Sequence, residues 1–535
     1  MRKHRQAAKS ALKNGWKKYL FLAGIVCLAG AARLIPGPRV IDDAYITYRY
    51  ARNILAGTGF LYNPGEAIQG TTTPLYTLLL ALIGSVSGGP DANFPQIALW
   101  INTAADTLTC LLILEMGRRL KYNYAGAAAA LTWAVAPYSV TFAIGGLETS
   151  FYVLLLTSTV YFYLRKQSAA AAFTAALSIL TRPDAVLLAG MLIIERFRQF
   201  FLGDRDHKPD KNLKFLLRDV LVFTIPGAIW AVYALFRFGS LIPHSVLAKQ
   251  NAYLLPKQAA LVRFLQHFGT PFFEHLSLTT SWIWIALFLY PFLFIIGARE
   301  SFRQKNRVWP WIVYPWLYTL VFSIANPLIF RWYLTPPLLP YIFFIFAGLE
   351  TFLERILKAR TTVIRRLAAG VLLFLLPLGS SLQAWEVSPD HGPARPAPEM
   401  AFIKLETLYH RAADKILHDL ENSTAANSLQ SPVLAAGDVG VLGYVTELPI
   451  LDTVGLNSDQ SLKYYPLPED RYVINYALPD NLILDEQPDY LVILEVYGRN
   501  TLLENPDFLS AYQLLDLIPT DIYGSRGMLI YKQIQ

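Results

Sequence analysis

Residues 42–81 read DDAYITYRYARNILAGTGFLYNPGEAIQGTTTPLYTLLLA, and the setting of this stretch decides the fold. Before it, the first 18 residues hold seven Lys and Arg and no acid, followed by an apolar run from Tyr19 to Ile35. A basic end followed by an apolar run that can cross a hydrocarbon core of roughly 30 Å reads as a span leaving the cytoplasm, so 42–81 opens the first outer loop. A cleaved signal peptide is the competing reading. The later spans alternate correctly only if this segment is kept.

Outward from that loop, the chain of 535 residues is 54% hydrophobic and 16% charged, with a mean hydropathy of +0.34. That is too apolar for an ordinary soluble protein of this length, and the bilayer is the expected solvent. Basic loops recur at Arg118, Arg119 and Lys121, at Arg165 and Lys166, and over 196–218, 299–307 and 355–366. All are expected on the cytoplasmic side. Pro74 to Gly88 is apolar but short, and counting it as a span would place Arg118 and Arg119 outside, so it is laid in the outer interface. About eleven spans result, near 19–36, 94–117, 124–142, 149–164, 168–181, 184–195, 219–238, 280–297, 309–325, 334–350 and 367–384. An odd number puts the C terminus outside.

From Glu386 onward there are 22 Asp and Glu against nine Lys and Arg, although the whole chain carries +8. The excess of positive charge lies in the first 385 residues and follows the span ends, so it reads as topology and not as a nucleic-acid site. The expected architecture is a polytopic α-helical membrane domain over 1–384 with an extracytoplasmic soluble α/β domain over 385–535. In the latter, 401–420 has helical periodicity, and PVLAAGD, LPILDTVG, PDYLVIL and GMLIYKQI read as short buried strands. Cys27 and Cys110 both fall in expected spans, where they read as packing residues with no disulfide framework.

Asp42 and Asp43 are adjacent carboxylates beside a membrane surface, expensive unless used or solvated. At the start of a helix they meet its positive end, with Arg49 and Arg52 on the following turns. On charge alone, a solvated loop with an N-cap is the simpler reading of the pair. Other charges expected on the outer side are Glu148 after a Gly-Gly corner, Arg182 and Asp184 flanking Pro183, His244 and Lys249 in LIPHSVLAKQNAYL, and Arg331 with Tyr333 in FRWYLTPPLLPY. Glu148 could simply cap a helix, Arg182 and Asp184 could pair with each other, and Arg331 could snorkel to the interface. Asn63, Glu66 and Thr71 are expected to shape the first loop, since NPGE is a turn signal.

The ordered set DD…RYARN…G.G..YNPGE…G.T.PL, GGLETSFYVLLL, SILTRPDAVLL and FRWYLTPPLLPY resembles bacterial membrane glycosyltransferases of the GT-C fold. It is similar in particular to polyprenyl-phosphate-dependent arabinofuranosyl- and mannosyltransferase-like proteins. AAGDVGVLGY, ILDTVGLNS and QPDYLVIL resemble the periplasmic domain appended to many of them. The resemblance implies a lipid-linked sugar phosphate donor and a cell-envelope glycan, lipid or protein acceptor. It also implies an Asp of the first outer loop as general base, with Asp42 first and Asp43 beside it, and transfer with inversion at the outer face of the cytoplasmic membrane. Arg49, Arg52, Glu148, Arg182, Asp184, His244, Lys249, Arg331 and Tyr333 are then the candidates for donor phosphate and substrate binding.

No P-loop and no HExxH occurs, which removes support for ATP-driven transport and zinc proteolysis. Asp204-Arg205-Asp206 forms a DxD, but in a basic loop expected in the cytoplasm. No metal site follows from His spacing, although the acidic pair could recruit a divalent cation if further oxygens came close. The rival reading is a transporter or flippase, which internal repeats and charges at midspan would favour. Neither is evident.

Overall fold

The computed structural model describes residues 19–202, 212–272, 280–304, 307–356, 401–422 and 431–534. Four described helices are long and apolar enough to cross a membrane: Phe94–Arg119, Leu213–Phe238, Trp284–Arg303 and Arg331–Glu354. Asn123–Val135 and Pro137–Ile144 make a fifth if taken together, bent by 41°. The bend falls at Ala136–Pro137, where the proline cannot continue the preceding helix. Tyr19–Leu34, Pro74–Gly84, Thr149–Leu164 and Ser168–Thr181 are shorter apolar helices. This is a multi-pass membrane protein. Most expected spans correspond to one described helix each, with two corrections. The segment expected near 184–195 begins as a single turn, Pro183–Ala185, and runs on as Val186–Leu202. The helix expected near 219–238 starts a turn and a half earlier, at Leu213, behind its Asn212 cap. The expected span 367–384 and the DxD at 204–206 lie outside the described residues. Cys110 is buried as expected, but Cys27 is exposed and is not the core packing residue its position suggested.

Close helix crossings are set by small residues, as in membrane interiors generally. The Thr280–Arg303 and Thr335–Thr351 helices cross at Gly297 and Gly348, where a methyl group on Gly348 would fall on the Leu293 carbonyl and one on Gly297 on the Phe344 carbonyl. Gly348→Ala is therefore expected to cost about 1–3 kcal/mol. It should lower the thermal unfolding midpoint in detergent, whereas Gly24→Ala, with nothing within 4 Å of its new methyl, should not.

The C-terminal part carries five strands, β1 Leu434–Ala436, β2 Ile450–Asp452, β3 Tyr490–Leu494, β4 Tyr512–Pro519 and β5 Gly527–Gln533. They form one sheet in the order β2-β1-β3-β5-β4. β1 runs parallel to both β2 and β3, and β5 is antiparallel to β3 and β4. β1, β2 and β3 are buried throughout, which is why their sequences are continuous apolar runs. Because β1 connects to β2 on one side and lies beside β3 on the other, its carboxyl end is a topological switch point, where open α/β sheets gather ligands. That end faces the Asp42–Leu55 helix.

Candidate active site

A cavity of about 420 Å³ lies where the membrane part meets the C-terminal sheet. Asp42, Asp43, Arg263, Arg331 and Trp332 line it from one side. Glu406, Tyr409, Asp438, Tyr476, Tyr497 and Tyr523 line it from the other. Gly437 and Asp438 follow β1, Thr453 and Val454 follow β2, and Ile493 and Leu494 end β3, so three parallel strands present their carboxyl ends to it.

The two expected aspartates have separate settings. Asp42 starts the Asp42–Leu55 helix, and its carboxylate accepts the backbone N–H groups of Gly440 (2.9 Å) and Val441 (2.8 Å). Its own N–H donates to Glu406 Oε1 at 2.8 Å. Burial first, then Asp438 and Asp43, raise its pKa well above the ordinary carboxylate value against those two hydrogen bonds. Both oxygens are thus committed to docking the Gly440–Thr446 helix. Asp43 points elsewhere, is partly exposed to the cavity, and is held by no side-chain hydrogen bond among the described residues.

Arg49 and Arg52, two of the expected donor-binding candidates, lie outside the cavity lining. Arg49 is buried and spends its donors on the carbonyls of Tyr62 (2.9 Å), Gly443 (2.6 Å) and Leu448 (2.8 Å) and on Asn63 Oδ1 (3.3 Å). Arg52 donates to the Tyr444 carbonyl at 2.7 Å and to Glu447 at 2.9 Å, with its guanidinium over the Tyr444 ring. Both are docking residues, because a guanidinium satisfies several backbone carbonyls at once. Asn63 belongs to the same seam, exchanging hydrogen bonds with the Ile450 backbone.

Glu148, Arg182 and Asp184 form a second cluster. Arg182 donates to Glu148 at 2.7 Å and to Asp184 at 3.0 Å, all three nearly inaccessible, and Tyr318 donates to Asp184. Glu148 occupies the N-cap of Thr149–Leu164, but its side chain makes no cap bond and takes Arg182 instead. The Tyr333 ring covers Arg182, with its centroid 4.4 Å away. Lys249 joins this cluster to the cavity. It sits over the Phe330 ring at 4.8 Å, and although burial opposes its charge, Tyr333, Asp43 and Glu148 outweigh that and raise its pKa. His244 also lies outside the cavity lining: its ring is 3.8 Å from Asp459 and its backbone N–H bonds to the Gln69 carbonyl.

Sequence reasoning did not single out Arg263, Glu406, Tyr409 or Asp438. Asp438, hydrogen-bonded by Tyr409, carried a usable signal, an acid in a GDVG turn directly after a buried strand. Burial, with Asp43 beside it, pushes Asp438 up to about 6 against that hydrogen bond. Among the described residues no group of three His, Cys, Asp or Glu could hold a metal ion.

Two solved structures share this fold. ArnT from Cupriavidus metallidurans bound to undecaprenyl phosphate matches at a TM-score of 0.55 and 14% identity, over 97% of this chain and 98% of that one. The oligosaccharyltransferase of Archaeoglobus fulgidus matches at 0.53 and 12%, over 89% of this chain and 69% of that one. The chain has the GT-C fold. In sequence, this GT-C chain is similar to two proteins named terminal beta-(1->2)-arabinofuranosyltransferase. The one from Mycobacterium tuberculosis is 29% identical over 234 residues, 40% of this chain and 35% of that protein. The one from Corynebacterium glutamicum is 25% identical over 248 residues, 39% of this chain and 33% of that protein. The chain thus spans about a third of the length of the curated relatives it matches. Residues 409–531 match a family described as a domain of unknown function, DUF8728.

Proposed function

We propose that this protein is a membrane glycosyltransferase that moves one sugar from a polyprenyl-phosphate donor to a cell-envelope acceptor. Residues 1–384 form the membrane catalytic domain and 385–535 an extracytoplasmic domain, with the N terminus in the cytoplasm and the cavity at the outer face of the cytoplasmic membrane. The observation that carries the reading is the position of Asp43, open to a cavity that Arg331 and Asp438 share and within electrostatic reach of Lys249.

Asp43 takes the proton of an acceptor hydroxyl, whose oxygen bonds to the anomeric carbon as the carbon–oxygen bond to phosphate breaks. The electron pair leaves with polyprenyl phosphate, and one displacement inverts the anomeric centre. Lys249 and Arg331 are the cations placed to stabilise the leaving phosphate. Glu148, Arg182, Asp184 and Tyr333 hold the wall against which Lys249 sits. The named arabinofuranosyltransferase relatives make arabinofuranose the first donor sugar to test.

The test incubates purified protein in nanodiscs with polyprenyl-phosphate sugars and oligosaccharide acceptors, following free polyprenyl phosphate and extended acceptor by mass spectrometry. Acceptor-dependent release supports the reading; no release from any donor sinks it. A pH profile adds a second check. Asp438 loses its charge below about pH 6, so turnover that needs its carboxylate as a hydrogen-bond acceptor should fall as pH drops through that value. Asp438→Asn should remove this limb from the profile of kcat/KM.

A further inference from the structure

A cleft that shares no lining residue with the Asp43 cavity lies elsewhere in the helical part. It measures about 580 Å³ and opens between the Ser168–Thr181, Val186–Leu202 and Leu213–Phe238 helices. Its lining takes the N-terminal parts of the first and third helices, Ser168 to Ala175 and Leu216 to Thr224, and most of the length of the second, Ala189 to Gln199. The small side chains of Ala171, Ala172, Ala175 and Ala189 keep it from filling, while Leu192, Val220 and Phe223 give it an apolar wall. Leu213–Phe238, which walls one side, has only 11% of its apolar window buried among the described residues, so most of that apolar surface is left for lipid.

Charge lies at the mouth, where Glu195 is held by Arg198 at 2.7 Å behind the lining and Lys166, Arg196 and Arg307 share the rim with one carboxylate, Asp219. That carboxylate is already compensated, by Arg196 at 3.0 Å and Arg218 at 2.8 Å. The result is a hydrocarbon-lined slot with a net positive rim at the level of a membrane surface, the charge complement of an anionic headgroup over an acyl chain. We propose that this cleft is a specific site for an anionic glycerophospholipid, with an acyl chain between the three helices and the headgroup phosphate at Lys166 and the neighbouring arginines. The proposed topology assigns that lipid to the cytoplasmic leaflet. Binding itself does not depend on that assignment or on the transferase reading.

Native mass spectrometry of the detergent-purified full chain tests this, titrating phosphatidylglycerol and phosphatidylcholine of the same acyl chains. Phosphatidylglycerol should be retained preferentially. Lys166→Gln, at an exposed position, should weaken phosphatidylglycerol about fivefold with little change for phosphatidylcholine, the effect of one cation near an anionic headgroup. Ala172→Leu, which narrows the slot without altering charge, should reduce retention of phosphatidylglycerol too. Equal retention of the two lipids by the unaltered protein, or phosphatidylglycerol binding unchanged in both variants, overturns the site.

Discussion

Asp43→Asn is expected to lower turnover by roughly 10²–10⁴-fold while leaving the unfolding midpoint near that of the parent protein, because it removes a proton acceptor and no structural bond. Asp42→Asn should do the opposite. The Asp42 carboxylate receives two backbone N–H groups from Gly440 and Val441. An Asn there keeps one accepting oxygen and turns an amide N–H toward the other donor, losing about 1.5–3 kcal/mol for a charge-assisted hydrogen bond and lowering the midpoint. Gly440→Ala offers an independent route to the same docking defect, since its methyl would fall on the Asp42 backbone carbonyl. Single-turnover assays at saturating donor, paired with thermal unfolding, separate the two roles. If Asp43→Asn turns over normally and Asp42→Asn is inactive but fully stable, the proton acceptor is Asp42.

That division could not be read from the sequence. Adjacent residues on a helix point about 100° apart, so DD at a helix start sends its two carboxylates to different partners, and which one meets the cavity depends on where the C-terminal sheet docks. The same long-range dependence hid Arg49, whose acceptors include Gly443 and Leu448, nearly four hundred positions along the chain. What hydropathy and alternation govern was legible: helix positions through most of the membrane part, and β1, β2, β3 and β5 as apolar runs between Gly, Pro and Asp. β4 was missed because, unlike the other edge strand β2, it is mostly exposed. YQLLDLIP leaves Leu514 and Leu517 about half exposed and takes a register shift between Leu514 and Asp516, so neither clean alternation nor a buried run marks it. Asp438 was legible in principle, from the switch-point rule applied to the turn after β1.

The second large effect is expected at Arg33 and Asp106, inside the helical part. Both are fully buried, and Arg33 Nε donates to Asp106 at 2.9 Å. The rest of the guanidinium bonds the carbonyls of Ala29 and Ala134 and the Ser139 hydroxyl, while Asp106 also accepts from Trp133 Nε1 (3.0 Å) and Ser150 (2.8 Å). The network ties Tyr19–Leu34 to Phe94–Arg119 and to the bend at Ala136. Arg33→Met leaves an ionised or newly protonated carboxyl in an apolar interior, and Asp106→Leu strands the guanidinium. Each alone should cost about 3–5 kcal/mol, because the surviving charge has lost its compensation. The double variant should recover much of that loss, since it removes both desolvation penalties together. Unfolding midpoints of the four proteins in one detergent give the cycle directly. A double variant as unstable as the sum of the singles would mean that the two residues act independently, with the helices held by packing alone. Asp106 falls within the span expected near 94–117, where a lone acid already called for a buried partner.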